Sequence, residues 1–312
     1  MSPFPQKIRI ASRESQLAMV QSRWVAAQLA SFHPGIAVDI IGMTTRGDQI
    51  LDRPLAAIGG KGLFIKELEV AIEEGRADMA VHSMKDVPMT LPAGFAITIV
   101  GAREDVRDAF VSPHYASLAD LPEGGLVGTG SLRRESQLRR HYPHLTIRPL
   151  RGNVNTRLAK LDAGEYDAII LAAAGLHRLG FSARVRGALA TAEFLPAIAQ
   201  GALGIEYFGA RTDIAALLAP FTHPATTATV TAERAMGRAL TASCDVPLGG
   251  HAVMADGELV LEGFVSLPDG SRFIHDRLSG APADAEKIGL ALAQKLMARG
   301  AGEVLATLAK KG

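Results

Sequence analysis

The sequence predicts an α/β protein in which two α/β lobes are followed by a small α+β domain. Three observations carry that prediction. The chain has 312 residues, above the size at which one hydrophobic core usually keeps growing, so two or three domains are expected. Short apolar strands alternate with helix-period segments through its first two-thirds, the pattern of largely parallel sheets. Past His223-Pro224 the alternation stops, and one long helix precedes three successive strands and a closing helix.

Lys7 to Ala11 reads as a strand, and about Glu14 to Ala30 as a helix with apolar residues at Leu17, Val20 and Trp24. Ala37 to Met43 is the next strand. Thr44 to Gly60 holds Gly47, Pro54, Gly59 and Gly60 with little periodicity, so a mobile loop is expected, with a lid over 44–62. Leu63 to Glu74 reads as a helix, Asp78 to Val81 as a short buried strand and Phe95 to Val100 as another. From Ala109 the pattern restarts, with strands near Leu126 to Gly128, Thr146 to Leu150 and Ala168 to Ala172 and helices near Leu132 to Arg140 and Val154 to Ala163. No residue-level repeat links the halves, so their likeness is architectural. Ala202 to Phe208 could complete either sheet. We assign about 202–219 to the first lobe, which gives lobes of 5–101 plus about 202–219 and of 106–196, and a third domain of 223–312. In that domain a helix to about Leu240 leads to Cys244, then strands near His251 to Met254, Glu258 to Ser266 and Arg272 to Leu278, and a helix from Ala283.

Composition narrows the function. Lys plus Arg is 33 against 32 for Asp plus Glu, so the net charge of +1 gives no global reason for a nucleic-acid or membrane-surface partner. The first ten residues lack the apolar core of a signal peptide, and no run approaches ~18 apolar residues. A cytoplasmic protein is expected. The single cysteine, Cys244, excludes an internal disulfide and every multi-cysteine metal site, and the scattered histidines give no metal motif. No metal is assigned.

Arginine is the densest chemical signal: seven lie between Arg133 and Arg157, at 133, 134, 139, 140, 148, 151 and 157, against one acid, Glu135. A guanidinium grips a carboxylate with a planar fork, so a ligand bearing several carboxylates would explain the cluster. Arg139 and Arg140 read better as a solvated helix face. Arg133 and Arg134 follow a strand, the turn Gly128-Thr129-Gly130 and Ser131, in the first turn of a helix whose free N–H groups favour anions. Arg151-Gly152-Asn153 repeats that design, at the strand ends where open α/β sheets bind ligands. In the first lobe the matching place is His82-Ser83-Met84-Lys85-Asp86-Val87-Pro88; Ser12-Arg13-Glu14-Ser15 adds a second strand-to-helix junction. Taken alone, these are equally an ordinary capped turn and an N-cap. Cys244 sits in a turn-rich link, Ser243 to Gly250, although a lone cysteine is more often a small buried hydrophobe.

Together these segments resemble the porphobilinogen deaminase (hydroxymethylbilane synthase) family from about Ile8 to beyond Gly263. The matching stretches include Ala11 to Ser15, Gly59 to Phe64, His82 to Pro88, Gly128 to Arg134, Arg151 to Val154, Ala174 to Leu176 with Arg178-Leu179, Gln200 to Glu206 and Cys244 with Val246 to Gly249. So many ordered matches are specific where any one is weak. The resemblance implies two lobes similar to those of type II periplasmic binding proteins, a third domain, and an active site between the lobes. It implies a dipyrromethane cofactor, built from two substrate molecules and held by Cys244 through a thioether, with Asp86 as the catalytic carboxylate. Ser83, Lys85, Thr129, Ser131, Arg133 and Arg134 are the implied cofactor contacts; Arg13, Ser15, Arg151, Arg157, Arg178 and Gln200 are the implied substrate contacts; Lys61 and Phe64 border the lid. The implied reaction is deamination and head-to-tail condensation of four porphobilinogens, each bearing an acetate and a propionate, by a monomer. Three departures stand out: Gly130 where the family usually has serine, Ala199 where a glycine usually precedes Gln200, and Gly250-His251 where Ser-Tyr often follows. Two rival readings are a solute-binding protein with an arginine-lined cleft and a cysteine hydrolase using Cys244 with His251. The first would need an export signal, and the second leaves the arginines unexplained.

Overall fold

The computed structural model describes residues 4–49, 62–240 and 246–310. Among these, one compact unit takes in 4–49, 62–104 and 202–227, and a second takes in 105–201, 228–240 and 246–310. Cys244, Lys61 and most of the expected lid lie outside the described residues.

In the first unit, strands β1 (Lys7–Arg13), β2 (Ala37–Met43), β3 (Met79–Ser83), β4 (Phe95–Val100) and β10 (Leu203–Phe208) form one sheet, ordered β2-β1-β3-β10-β4. Helices α1 (Gln16–Phe32), α3 (Lys66–Glu73) and α7 (Thr212–Leu218) flank it, and the short α2 (Arg46–Gln49) follows β2. Strand alternation divides the core. Ile8, Ile10, Met79 and Val81 pack with Val25 and Leu29 of α1 and Ile214 and Leu217 of α7, whereas Ala11 and Ala80 pack with Leu68, Ala71 and Ile72 of α3. Burial on both faces explains the apolar run Met79-Ala80-Val81 of β3. Ala202 to Phe208, which by sequence could complete either sheet, contributes β10 to this one.

The second unit contains β5 (Asp108–Val111), β6 (Leu126–Gly128), β7 (Thr146–Arg148), β8 (Ala168–Ala172) and β9 (Gly187–Ala188), ordered β7-β6-β8-β5-β9. Helices α4 (Leu132–His141), α5 (Val154–Asp162) and α6 (Ala173–Arg178) cover it. The two sheets share a topology: the second, first and third strands run parallel, then an antiparallel strand precedes the edge. The pair of α/β lobes is thus present, but each sheet is mixed rather than largely parallel. The cause is connectivity, since β10 and β5 each enter their sheet from the other lobe's chain segment and run against it.

The rest of this unit is an antiparallel sheet of β11 (Leu248–Ala255), β12 (Glu258–Ser266) and β13 (Phe273–Gly280), with α8 (Pro224–Ala239), α9 (Ala285–Leu296) and α10 (Gly302–Ala309). This is the expected α+β part. Gly289 lets α9 approach α8 closely, for a Cβ there would stand 2.2 Å from the Ala232 carbonyl oxygen. One departure from the family pattern has a steric cause: a Cβ on Gly130 would lie 2.8 Å from the Leu150 carbonyl oxygen, whereas one on Gly250 would crowd only the movable Cε of Met236, at 2.5 Å. The third carries strain: Ala199 sits at φ 59°, a left-handed conformation that glycine adopts freely.

Candidate active site

In the first unit the strand ends converge on a pocket. Ser83 closes β3, and a 3₁₀ turn, Met84–Asp86, follows at once because Met84 donates its N–H to the Ala202 carbonyl at 3.0 Å and buries its side chain. Asp86 is left exposed at the end of that turn. Arg13 is the last residue of β1, so it does not follow the strand as expected, and Ser15 caps α1 by accepting from the Ala18 N–H at 3.4 Å. Arg13, Ser15, Gln21, Phe64, Ser83 and Asp86 all line this pocket, together with His82, and Asp86 is its one carboxylate among the described residues.

Neighbouring groups fix the lining. Arg13 binds both oxygens of Asp48, through Nε at 3.1 Å and through Nη2, and its guanidinium lies 4.4 Å from the ring centre of Phe64. Burial tends to raise the Asp48 carboxyl, but hydrogen bonds from Arg13 and Thr45 outweigh it and hold that group below its ordinary value. Gln21 donates from Nε2 to the Ser83 hydroxyl at 2.8 Å. Sequence reasoning missed Gln21. The signal was an amide on the buried stripe of α1, between Ala18 and Val25.

In the second unit, β6 and β7 feed the starts of α4 and α5. Thr129 donates its N–H to Arg148 and accepts from Leu150, which ties the two loops together. Ser131 caps α4 by accepting from the Arg134 N–H at 3.5 Å, and Asn153 caps α5 by accepting from the Thr156 N–H at 2.9 Å. Arg133 and Arg134 are buried and face Asp108. Arg134 donates to one Asp108 oxygen from Nε and Nη2 and to the Ile170 carbonyl from Nη1, while Nη2 of Arg133 stands 2.8 Å from the other oxygen and its Nη1 reaches the Leu195 carbonyl at 2.6 Å. Gln200 joins the cluster, donating to Asp108 at 2.9 Å and to the Val106 carbonyl at 2.7 Å. Asp108 was not anticipated. It lay one residue before the expected restart of the pattern at Ala109.

The remaining predicted contacts scatter more widely in this unit. Arg151 is half-buried at the loop between β7 and α5, Arg157 donates to the Gly152 carbonyl at 2.8 Å, and Arg178 donates to the Gly201 carbonyl at 2.8 Å. In the first unit, Lys85 is half-buried beside Asp86. Arg139 pairs with Glu135 one turn away, and Arg140 lies 4.7 Å over Phe273, so both belong to a helix face as read.

Two guanidiniums against one carboxylate leave this buried cluster one positive charge in excess, and Nε of Arg133 is buried without a hydrogen-bond partner among the described residues. Buried charge of that kind calls for a counter-anion. Thr129, Ser131 and the first turn of α4 add further donors. The residues therefore fit a group that brings carboxylate arms. Among the described residues no set of three His, Cys, Asp or Glu could hold a metal, and no helix is long and apolar enough to cross a membrane.

A family model described as "Porphobilinogen deaminase, dipyromethane cofactor binding domain" matches residues 8–216, and one described as "Porphobilinogen deaminase, C-terminal domain" matches 227–298. The chain is 60% identical over 301 residues to a curated protein of Thiobacillus denitrificans named porphobilinogen deaminase, covering 96% of this chain and 98% of the relative. A protein of the same name from Laribacter hongkongensis is 58% identical over 299 residues, covering 96% and 97%. Among solved structures, the periplasmic VFT2 domain of Bordetella pertussis BvgS is 17% identical with a TM-score of 0.42, covering 68% of this chain and 85% of that one.

Proposed function

The chain belongs to the porphobilinogen deaminase family, and from that premise we propose which of its own residues carry the chemistry. It is a transferase: four porphobilinogen molecules are deaminated in turn and condensed head to tail on a dipyrromethane primer, releasing hydroxymethylbilane for tetrapyrrole biosynthesis. When bound, the dipyrromethane supplies the terminal pyrrole carbon from which the chain grows.

Asp86 is the proposed catalytic carboxylate. Loss of ammonia leaves a pyrrole whose positive charge is delocalised toward its nitrogen, and a fixed anion close by stabilises it and can take or return the accompanying protons. The observation that carries this assignment is that Asp86 is, among the described residues, the sole carboxylate lining a pocket whose other polar walls are Arg13, Ser15, Gln21, His82 and Ser83. Arg13, Ser15, Arg151, Arg157, Arg178 and Gln200 orient the substrate's acidic arms. Ser83, Lys85, Thr129, Ser131, Arg133 and Arg134 hold the primer, and the surplus positive charge beside Asp108 supports the role of the two arginines. Cys244 anchors it through a thioether, and Lys61 and Phe64 border a lid. The protein is a cytoplasmic monomer with three domains, 5–101 plus about 202–219, 106–196 and 223–312, each around its own sheet.

Intact mass tests the anchor and turnover tests Asp86. Freshly purified protein is expected to carry an adduct of two pyrrole units that is absent from Cys244→Ala. Asp86→Ala is expected to fold, keep the adduct and lose about a hundredfold or more in turnover. An unmodified native mass, or near-normal turnover of Asp86→Ala, overturns the corresponding assignment.

A further inference from the structure

Behind the Asp86 turn lies a buried acid–imidazole pair. His82 precedes Ser83 on β3, and its backbone faces Gly204 of β10. Its ring Nε2 lies 2.9 Å from Oε2 of Glu206, two residues further along β10, and the side chains are 4% and 0% exposed. A carboxylate at Glu206 would accept from an Nε2–H, which would leave Nδ1 of the ring as the acceptor. The second Glu206 oxygen is buried and has no hydrogen-bond partner among the described residues. Stability alone does not favour such a group, because an apolar side chain of similar size would fill the space at lower cost. A fully buried carboxylate with an unmatched oxygen points to a functional demand.

The surroundings show what that demand is. Ser83 is held by Gln21, the Met84 N–H by the Ala202 carbonyl, and the Met84 side chain lies over Gly204, where a Cβ would stand 2.2 Å from its sulfur. Residues 82–84 are thus tied to β10 or α1, and Lys85 and Asp86 are the first that face outward. His82 lines the same pocket as Asp86. On α3, Glu69 registers the acid: burial first, then the charge of Glu206, raises its carboxyl to about 7. We infer that Glu206 locks the tautomer and orientation of His82, and that His82 is a positioning residue which sets the Asp86 turn against the reacting pyrrole. The inference rests on the assignment of Asp86 as the catalytic carboxylate. A charge stabilises a developing cation best when its support is fixed in advance, and here the support is a side-chain contact added to the backbone ladder.

The test uses the cofactor-loaded enzyme, with turnover normalised to adduct content by intact mass. The His82 ring nitrogens, assigned in ¹⁵N spectra with His82→Gln, are expected to show the Nε2–H tautomer in the native protein and a mixture in Glu206→Gln. Glu206→Gln and His82→Gln are expected to lower kcat about tenfold with KM for porphobilinogen within twofold. Glu206→Leu is expected to keep its thermal midpoint yet lose kcat to the same extent, which a merely structural role would not produce. Wild-type kcat in Glu206→Leu, or an Nδ1–H tautomer in the native ring, overturns the inference. Asp86→Asn separates the two levels: if it alone loses turnover the pair fails and the assignment stands, whereas if it too turns over normally the assignment itself fails.

Discussion

Arg134 places two nitrogens, Nε and Nη2, on a single oxygen of Asp108, at 3.0 and 2.8 Å. The same carboxylate faces Arg133, so neutralising it strands two buried guanidiniums. Asp108→Asn is expected to cost about 3–5 kcal/mol of unfolding free energy, the scale for breaking a buried pair from one side. Urea denaturation reads it as a lower midpoint at unchanged slope. A loss under about 1 kcal/mol would show that the arginines are not held by this charge.

The same group gives a pH signature. Burial opposes ionisation of Asp108, but the charges of Arg133 and Arg134, with hydrogen bonds from Arg134 and Gln200, hold its carboxyl far below the ordinary 3.8. A depressed folded value means that its stabilisation is complete above about 3.8 and disappears only as pH falls through the lower, folded value. Acid titrations of stability should therefore diverge in one sense: the gap between wild type and Asp108→Asn stays constant from pH 8 to about 5 and closes in stronger acid. A gap that opens as pH falls contradicts the assignment.

Ala199 accepts a strained backbone at φ 59° while its N–H donates to buried Glu233 at 2.6 Å. Glycine relieves the strain and keeps the bond, at the cost of a more flexible unfolded chain. Ala199→Gly is expected to be neutral or stabilising by up to about 1 kcal/mol, and a loss of more than about 1 kcal/mol in thermal or urea unfolding would contradict it.

Much of this architecture was legible because burial leaves a plain mark, an unbroken apolar run in Ala168–Ala172 and an alternating start in Glu258–Ser266, and both have the bounds read from the sequence. Helix α1 starts two residues later than expected because Ser15 is its cap. Strand direction was not legible, since nothing local in Leu203–Phe208 records that this segment enters its sheet against β3 and β4. The same limit applies at the site. Motifs located Ser83, Asp86, Ser131 and Arg133 at strand ends, but Asp108 and Glu206 take their meaning from partners 25 and 124 residues away, Arg133 and His82. Pairing of that kind leaves no period in the sequence.

Arg151 and Arg139 offer a matched contrast. Arg151 is half-buried at the entrance to α5, where a ligand's acidic arm can meet it, while Arg139 is spent on Glu135 along an exposed helix face. Arg151→Leu is expected to raise KM for porphobilinogen about tenfold or more, the scale of one charged hydrogen bond, whereas Arg139→Leu should leave both kinetic constants within twofold. Equal effects would remove the distinction between the two arginines.

Glu69 supplies the sharpest prediction near neutral pH. Burial, then the charges of Glu206 and Glu73, lifts its carboxyl from 4.5 to about 7, against a weaker pull from Lys66. A raised folded value makes the folded state hold a proton that the unfolded chain has already released, so folding loses stability as pH climbs from about 4.5 to about 7 and the penalty is then constant. Glu69→Gln cannot ionise and escapes it. The variant should match wild type near pH 4.5 and exceed it at pH 8 by on the order of 1 kcal/mol, a figure reduced because Glu69 is partly in water and screened. Parallel stability curves across that range would mean that Glu69 is ionised in the folded protein at neutral pH, and that the charge of Glu206 does not reach it.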